Sequence, residues 1–232
     1  MRILGLIPAR AGSKGVPNKN KKALLGKPLM QYTIESAQGS ELLNRIVFSS
    51  EDQELIRMAN SMGIDTPFVR PLELATDSAS SLSVIIHAIN ELANQGEHYD
   101  AVCLLQVTNP FRTSAFIDKA ITKFMEGNFD ALISVLEVPH EYNPHWVFKT
   151  NKQNQLKLAT GDKEIIKRRQ DLPKSYYRDG SIYITKTDVL LEQNSLYGNT
   201  IGFVIADKDL HVNIDTQEDW EKAEHIAKTL KK

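Results

Sequence analysis

Short apolar runs alternate with amphipathic stretches through the first two-thirds of the chain, and this rhythm limits the fold more than any other feature. A run that is apolar throughout fits a strand buried on both sides, whereas apolar residues spaced by three and four fit a helix with one face covered. Ile3 to Ala9 reads as a buried strand and Leu29 to Gln38 as a helix. Arg45 to Ser49 follows as a strand, Glu51 to Met62 as a helix, and Thr66 to Val69 as a short third strand. Ser80 to Asn94 has helical spacing, with Val84, Ile85, Ala88, Ile89 and Leu92 on one face. Ala101 to Val107 is a strand between Tyr99-Asp100 and Asn109-Pro110, Thr113 to Met125 a helix, and Ala131 to Val138 another strand. This alternation predicts an α/β fold whose mainly parallel sheet is covered by helices on both faces.

The rhythm breaks between residues 139 and 174, a polar stretch with a basic run at Lys167, Arg168 and Arg169 and a strand-like piece from Trp146 to Lys149. It reads as an excursion from the sheet, either a lid or an oligomer arm, with an exposed loop as the plainer alternative. The sheet is expected to resume at Ser181 to Thr185 and Ile201 to Ala206, and a closing helix at Glu218 to Leu230. With no internal repeat or linker, residues 1–232 are expected to form one domain, the 139–174 arm included.

Composition narrows the partners. A formal net charge of -1 offers no overall basic excess for a nucleic-acid partner, so any anion site must arise from local arrangement. The apolar opening ends at Arg10, too short for a signal-peptide core, and no run is long enough to cross a bilayer. The lone Cys103 cannot form an intrachain disulfide and is compatible with a reducing compartment, so a cytoplasmic location without a membrane partner is the expectation.

The segment Ile7-Pro8-Ala9-Arg10-Ala11-Gly12-Ser13-Lys14-Gly15 leaves the first strand and delivers small and basic residues at once, followed by Lys19 and Asn20. Glycines let consecutive backbone amides face an anion, and Arg10, Lys14 and Lys19 supply the charge a triphosphate needs. The loop follows the carboxyl end of a strand, where open α/β sheets bind ligands. Neither G-x-x-x-x-G-K-[ST] nor G-x-G-x-x-G is present, which argues against a nucleotide-hydrolase loop and a dinucleotide fingerprint. The six histidines do not combine with Cys103 into zinc-ligand spacing.

Together with four further segments, this opening resembles the acylneuraminate cytidylyltransferases, the CMP-sialic acid synthetases and their relatives. The others are Arg70-Pro71-Leu72-Glu73-Leu74-Ala75-Thr76-Asp77-Ser78-Ala79-Ser80-Ser81 and Leu104-Leu105-Gln106-Val107-Thr108-Asn109-Pro110-Phe111-Arg112. Arg169-Gln170-Asp171-Leu172-Pro173 with Asp179-Gly180-Ser181-Ile182-Tyr183, and Ile214-Asp215-Thr216-Gln217-Glu218-Asp219, complete the series. They occur in family order across nearly the whole chain.

The resemblance implies a Rossmann-like nucleotidyltransferase sheet, a small dimerisation arm and a homodimer. It implies an enzyme that couples CTP to a nine-carbon acidic keto-sugar such as N-acetylneuraminate, legionaminate or pseudaminate, releasing pyrophosphate with the help of Mg2+. By the same resemblance Arg10, Ser13, Lys14, Lys19 and Asn20 hold the nucleotide phosphates, and Arg70, Ala79 and Ser81 surround cytosine. Ser80 is also a natural helix cap, and capping can share the turn with base recognition. Gln106, Arg112, Arg169 and Tyr183 are implied around the sugar. For Arg112 the alternative is support of its own loop, for Tyr183 a core position, and for Arg169 a solvated basic face.

Asp215 is the metal candidate, with Asn213 beside it where relatives often carry the first carboxylate of Asp-x-Asp; the alternative is that Asp215 or Thr216 caps the helix beginning near Gln217. With Arg10, Lys14 and Lys19 it forms the expected catalytic set. No side chain stands out as general base. Two other readings stay open, a CMP-Kdo synthetase-like enzyme and a nucleotide-binding homologue without catalysis.

Overall fold

The computed structural model describes residues 1–230. Its first strand, β1 (Ile3–Pro8), is apolar and buried almost throughout. A two-rung hairpin follows, β2 (Ala23–Leu24) with β3 (Lys27–Pro28), turning at Leu25 and Gly26 where φ is +47° and +85°. Then come α1 (Leu29–Gln38), β4 (Arg45–Ser49), α2 (Gln53–Ser61), α3 (Ser81–Asn94) and β5 (Ala101–Leu104). The second half holds α4 (Ser114–Glu126), β6 (Ala131–Glu137), a small hairpin of β7 (Phe148–Thr150) and β8 (Leu156–Leu158), and β9 (Tyr176–Lys186). α5 (Thr187–Glu192), β10 (Ile201–Ile205) and α6 (Gln217–Leu230) complete the order.

Capping residues fix where several helices begin. Asp52 accepts from the Glu54 amide at 2.7 Å to start α2, and Ser80 from the Ser83 amide at 3.0 Å to start α3. Thr113 accepts from the Phe116 amide at 3.2 Å to start α4. Each cap satisfies an amide that the first helical turn leaves unpaired.

The six-stranded sheet has the order β10-β6-β9-β5-β1-β4. β1 pairs in parallel with β4 and β5, and β10 with β6, while β9 runs antiparallel to both β5 and β6. The mainly parallel reading therefore holds, with one inverted strand that alternation alone did not reveal. Apolar side chains fill both faces. Residues of α1, α2, α4 and α6, including Ile34, Leu55, Ile117 and Trp220, pack on one side. Leu4, Leu6, Val102 and Tyr183 pack under α3 and α5 on the other.

Thr66 to Val69 does not become a strand. Only Asp65 bridges to Val47, and the chain then turns away. Pro67 has no amide hydrogen with which to continue a ladder. The 139–174 stretch is an excursion, as expected, with the β7–β8 hairpin and short 3-10 turns at His140–Tyr142 and Arg169–Asp171. In the ladder Glu137 faces Tyr176, so the chain leaves and re-enters the sheet at paired residues. Among the described residues no helix is long and apolar enough to cross a membrane.

Candidate functional site

A cleft of about 370 Å³ opens at the carboxyl ends of β1 and β5, lined by Arg10, Ser13, Lys14, Lys19, Asn20 and Arg70 together with Ala79, Ser81, Gln106 and Asp215. Most of the residues singled out from the sequence thus meet in one place, although they are spread over some two hundred positions of chain.

The loop after β1 is shaped from within. The Lys19 amide donates to Ser13 Oγ at 3.1 Å, so Ser13 folds the loop back on itself. Asn20 Nδ2 donates to the Arg10 carbonyl at 2.9 Å, binding the loop's two ends. A Cβ added to Gly15 would lie 1.8 Å from the Asp215 carbonyl oxygen. Only glycine lets the cationic loop lie this close to the segment carrying Asp215. Lys19, nearly buried, reaches across that contact. Its ammonium donates to the Ile214 carbonyl and lies 3.0 Å from Asp215 Oδ1.

Arg70 is buried beneath the same loop. Its Nη2 donates to the Ala9 carbonyl at 2.6 Å and to Glu51 Oε2 at 2.9 Å. Glu51 uses its other oxygen to accept the Ala11 amide at 2.8 Å. Burial lowers the Arg70 guanidinium from its ordinary value, while Glu51 opposes the shift. Arg70 Nε is buried without a hydrogen-bond partner, and Arg70 lines the cleft. A buried donor left unpaired is costly, so this one suits a ligand acceptor.

Across the mouth, Asp77 holds two of the loop's cations. Arg10 Nη2 lies 2.7 Å from Asp77 Oδ1 and Lys14 Nζ 2.5 Å from Asp77 Oδ2. The Lys14 hydrogen bond, then that of Arg10, holds the Asp77 carboxyl below the usual carboxylate range. Neither Asp77 nor Glu51 stood out in the sequence. Asp77 lies within a quoted motif, yet a lone acid in a turn carries no signal until its partners are known. Glu51 resembled an ordinary helix-start residue.

Three residues expected around the sugar do not line this cleft. Arg112 is buried behind it, where it borders a second cavity with Asp179, Ser181 and His211. Its Nη1 donates to the Ser181 carbonyl at 2.5 Å, and its Nη2 to Thr33 Oγ1 at 3.2 Å and the Gln106 carbonyl at 3.3 Å. These bonds tie β9 and α1 to the Gln106 carbonyl. Tyr183 packs in the core under α3 and α5, with its hydroxyl accepting from Arg178 Nη1 at 3.2 Å. Arg169 lies in a separate depression with His140, Asn143 and Lys174, on the 139–174 excursion.

Asn213 does not line the cleft but lies beside Asp215, which does. Asn213 Nδ2 donates to Asp215 Oδ2 at 2.8 Å, and Asn213 Oδ1 accepts from Asn109 Nδ2 at 3.3 Å. Thr216, not Asp215, caps α6: its Oγ1 accepts the Asp219 amide at 3.2 Å, and Asp219 reaches back to accept the Asp215 and Thr216 amides at 3.0 and 2.8 Å. The Asp215 carboxylate is thereby left to the cleft.

The family profile described as "Cytidylyltransferase" matches residues 4–231. A pseudaminic acid cytidylyltransferase of Campylobacter jejuni is 36% identical over 98% of this chain and 97% of its own. A CMP-N,N'-diacetyllegionaminic acid synthase of Legionella pneumophila is 32% identical over 97% of this chain and 96% of its own. Among solved structures, a CMP:2-keto-3-deoxy-manno-octonic acid synthetase complexed with CTP aligns with a TM-score of 0.74 at 16% identity, over 99% of this chain and 100% of that one. At that identity the likeness concerns the fold.

Proposed function

The chain belongs to the cytidylyltransferase family, and from that premise we propose that it transfers CMP from CTP to the anomeric hydroxyl of a nine-carbon acidic keto-sugar, releasing pyrophosphate. The observation that carries the reading is the meeting of Arg10, Lys14 and Lys19 with Arg70, Ala79, Ser81 and Asp215 in one cleft. A triphosphate satisfies the cations, and the small residues at the start of α3 leave room for a pyrimidine. The nine-carbon sugar class rests on the names of the full-length relatives. The eight-carbon acid of the structural neighbour is the alternative, on fold alone.

In this reading the sugar hydroxyl attacks the α-phosphorus and gives up its proton to water, and the β–γ pyrophosphate leaves with the electrons of the broken P–O bond. Arg10, Lys14 and Lys19 offset the charge that gathers on the leaving group, a use of fixed cations suited to phosphoryl chemistry. Gln106 presents donors and acceptors to sugar hydroxyls or an acyl amide.

The donor set also fits magnesium. Among the described residues there is no group of three or more histidines, cysteines and acids that could hold a metal ion. Magnesium, however, needs only one or two protein oxygens beside substrate phosphates and water. Asp215 offers a carboxylate to the cleft, and Asn213, whose amide nitrogen donates to that carboxylate at 2.8 Å, would offer an oxygen if its amide were turned about. When bound, the ion supplies Lewis-acid polarisation of the phosphates.

The test is pyrophosphate release by the full chain with CTP, Mg2+ and a panel of acidic sugars. Release is expected with one of the nine-carbon acids and negligible with CTP alone. Dominant turnover of the eight-carbon acid would reassign the substrate, and CTP binding without release on any sugar would favour a non-catalytic homologue.

Asp77 gives a further expectation. It occupies Arg10 and Lys14 when no nucleotide does, so Asp77→Ala should bind CTP more tightly. Exposed ion pairs contribute modestly, so about two- to fivefold is expected. Weaker binding in a calorimetric titration would mean that Asp77 orients the cations rather than competing for them.

The reading includes a homodimer in the cytoplasm. Arg169 lies off the cleft, and Val147, Phe148, Leu156 and Ile165 on the same excursion are exposed, as are Ile201, Phe203 and Ile205 of β10. A second copy covering these apolar side chains would remove them from water. Light scattering should give twice the mass of the 232-residue chain; a monomer at assay concentration removes the dimer.

A further inference from the structure

Behind the cleft a run of polar side chains leads from a buried acid to the site's edge. Asp179 is buried on β9, its side chain fully shielded from solvent. Ser134 Oγ donates to its Oδ1, the Ser181 amide lies 3.2 Å from Oδ1, and Ser181 Oγ is 2.5 Å from Oδ2. His211 Nδ1 stands 3.8 Å from Oδ2. Ser181 Oγ also donates to Asn109 Oδ1 at 3.4 Å, Asn109 Nδ2 to Asn213 Oδ1 at 3.3 Å, and Asn213 Nδ2 to Asp215 Oδ2 at 2.8 Å. The path therefore has a carboxylate at each end and a hydroxyl and two amides between.

Hydrogen-bond polarity along this path is constrained. A serine hydroxyl has one hydrogen, and a side-chain amide donates from one end and accepts at the other. The two amide ends are nearly isosteric, so their partners decide the orientation. In one arrangement Asn213 donates to Asp215, Asn109 donates to Asn213, and the Asn109 oxygen then needs the Ser181 hydrogen, which Asp179 holds at 2.5 Å. The structure has this arrangement, and in it the one Ser181 hydrogen is divided between Asp179 at 2.5 Å and, at 3.4 Å, the oxygen of Asn109, a residue only 3% exposed.

In the reverse arrangement Ser181 donates to Asp179, Asn109 donates to Ser181, and Asn213 donates to Asn109. Every partner behind the cleft is then satisfied. The Asn213 oxygen now faces Asp215 Oδ2 across the 2.8 Å separation. Two oxygens so close repel unless a cation joins them, and neighbouring oxygens on an octahedral magnesium ion lie about 2.9 Å apart.

We propose that Asp179, Ser181 and Asn109 are positioning residues that turn the Asn213 amide oxygen toward Asp215, so that a neutral side chain can share a divalent cation with one carboxylate. The inference rests on the magnesium reading of Asp215 given above. Metal loading selects the reverse arrangement, and the metal-free chain retains the first. A carboxylate at position 213 would need no such orientation, because either of its oxygens can face the ion. The relay is thus required by the asparagine.

The test is a double-mutant cycle on the full chain, with Mn2+ alone as probe and free Mn2+ followed by electron paramagnetic resonance. Ser181→Ala should weaken Mn2+ binding about tenfold when position 213 is asparagine, the scale on which groups behind a ligand act. In the Asn213→Asp background the same change should cost less than twofold. CTP affinity measured in chelator should be unchanged by Ser181→Ala. Equal losses in both backgrounds, or no loss in either, would overturn the relay. Asp215→Asn separates the two levels. If it also leaves Mn2+ binding undiminished, the metal reading of Asp215 fails and the relay with it; if it alone abolishes binding, only the relay fails. Should the alanine at 181 not fold, Asn109→Ala cuts the path one link later and repeats the cycle.

Discussion

Lys19→Met should lower kcat/KM for CTP turnover by about a thousandfold while leaving the fold intact. Lys19 is the least exposed cation of the loop, with its side chain at 10% exposure, and it touches both the Ile214 carbonyl and Asp215 Oδ1. Methionine preserves the aliphatic stem and removes the charge. Removing one donor that stabilises charge developing in a transition state costs about 100- to 1000-fold. Here the same ammonium also holds the carboxylate expected to carry the metal, so the upper end applies. Asp215 keeps 63% of its side chain exposed, so losing its partner leaves no buried charge behind. Steady-state pyrophosphate release gives the rate and thermal unfolding the control. A variant within threefold of the parent would remove Lys19 from the chemistry.

The largest effect on stability belongs to Arg112. Arg112→Met should destabilise the protein by about 3–5 kcal/mol, the cost of breaking a buried charged network by removing one partner. The guanidinium ties the Ser181 carbonyl of β9, Thr33 of α1 and the Gln106 carbonyl. Methionine would leave those buried acceptors without their donor, and Asp179 without a nearby cation. Burial lowers the Arg112 guanidinium to about 10, still well above neutral pH, so the lost group is a charged one. Urea unfolding measures the loss. The sugar KM, taken well below the melting temperature, separates support from contact. It should stay within about threefold, since Arg112 does not line the cleft. A large KM rise at parental stability would return Arg112 to the substrate.

What could be read from the sequence follows from how local each signal is. Helix α1 and strand β4 have the bounds expected of them, because apolar spacing and the flanking polar residues are local properties. Thr66 to Val69 failed because a short apolar-looking run says nothing of whether a partner strand continues beside it, and Pro67 interrupts the ladder. The inversion of β9 was hidden for the opposite reason. Its residues are as apolar as those of a parallel strand, and direction is set by distant pairing with β5 and β6. The β2–β3 hairpin and α5 were passed over because two-residue strands and a six-residue helix barely register against any periodicity.

The site divides along the same line. The loop from Arg10 to Asn20 was legible because glycines and cations directly after a buried strand have few structural uses. Arg112 and Tyr183 were ambiguous in the sequence, since an arginine beside a proline turn and a tyrosine on a strand serve cores and ligands alike. Asp77, Glu51 and the Asp179–Asn213 path could not have been found from spacing, because each depends on partners remote in the chain.

The rung at which Glu137 faces Tyr176 has a consequence for how this architecture can diversify. Departure and return sit side by side, so the intervening stretch is in effect an oversized hairpin turn. Lengthening such a turn adds only slowly to the entropy of closing it. Its length and content can therefore drift, or be grafted from another chain, while the strands on either side keep their alignment.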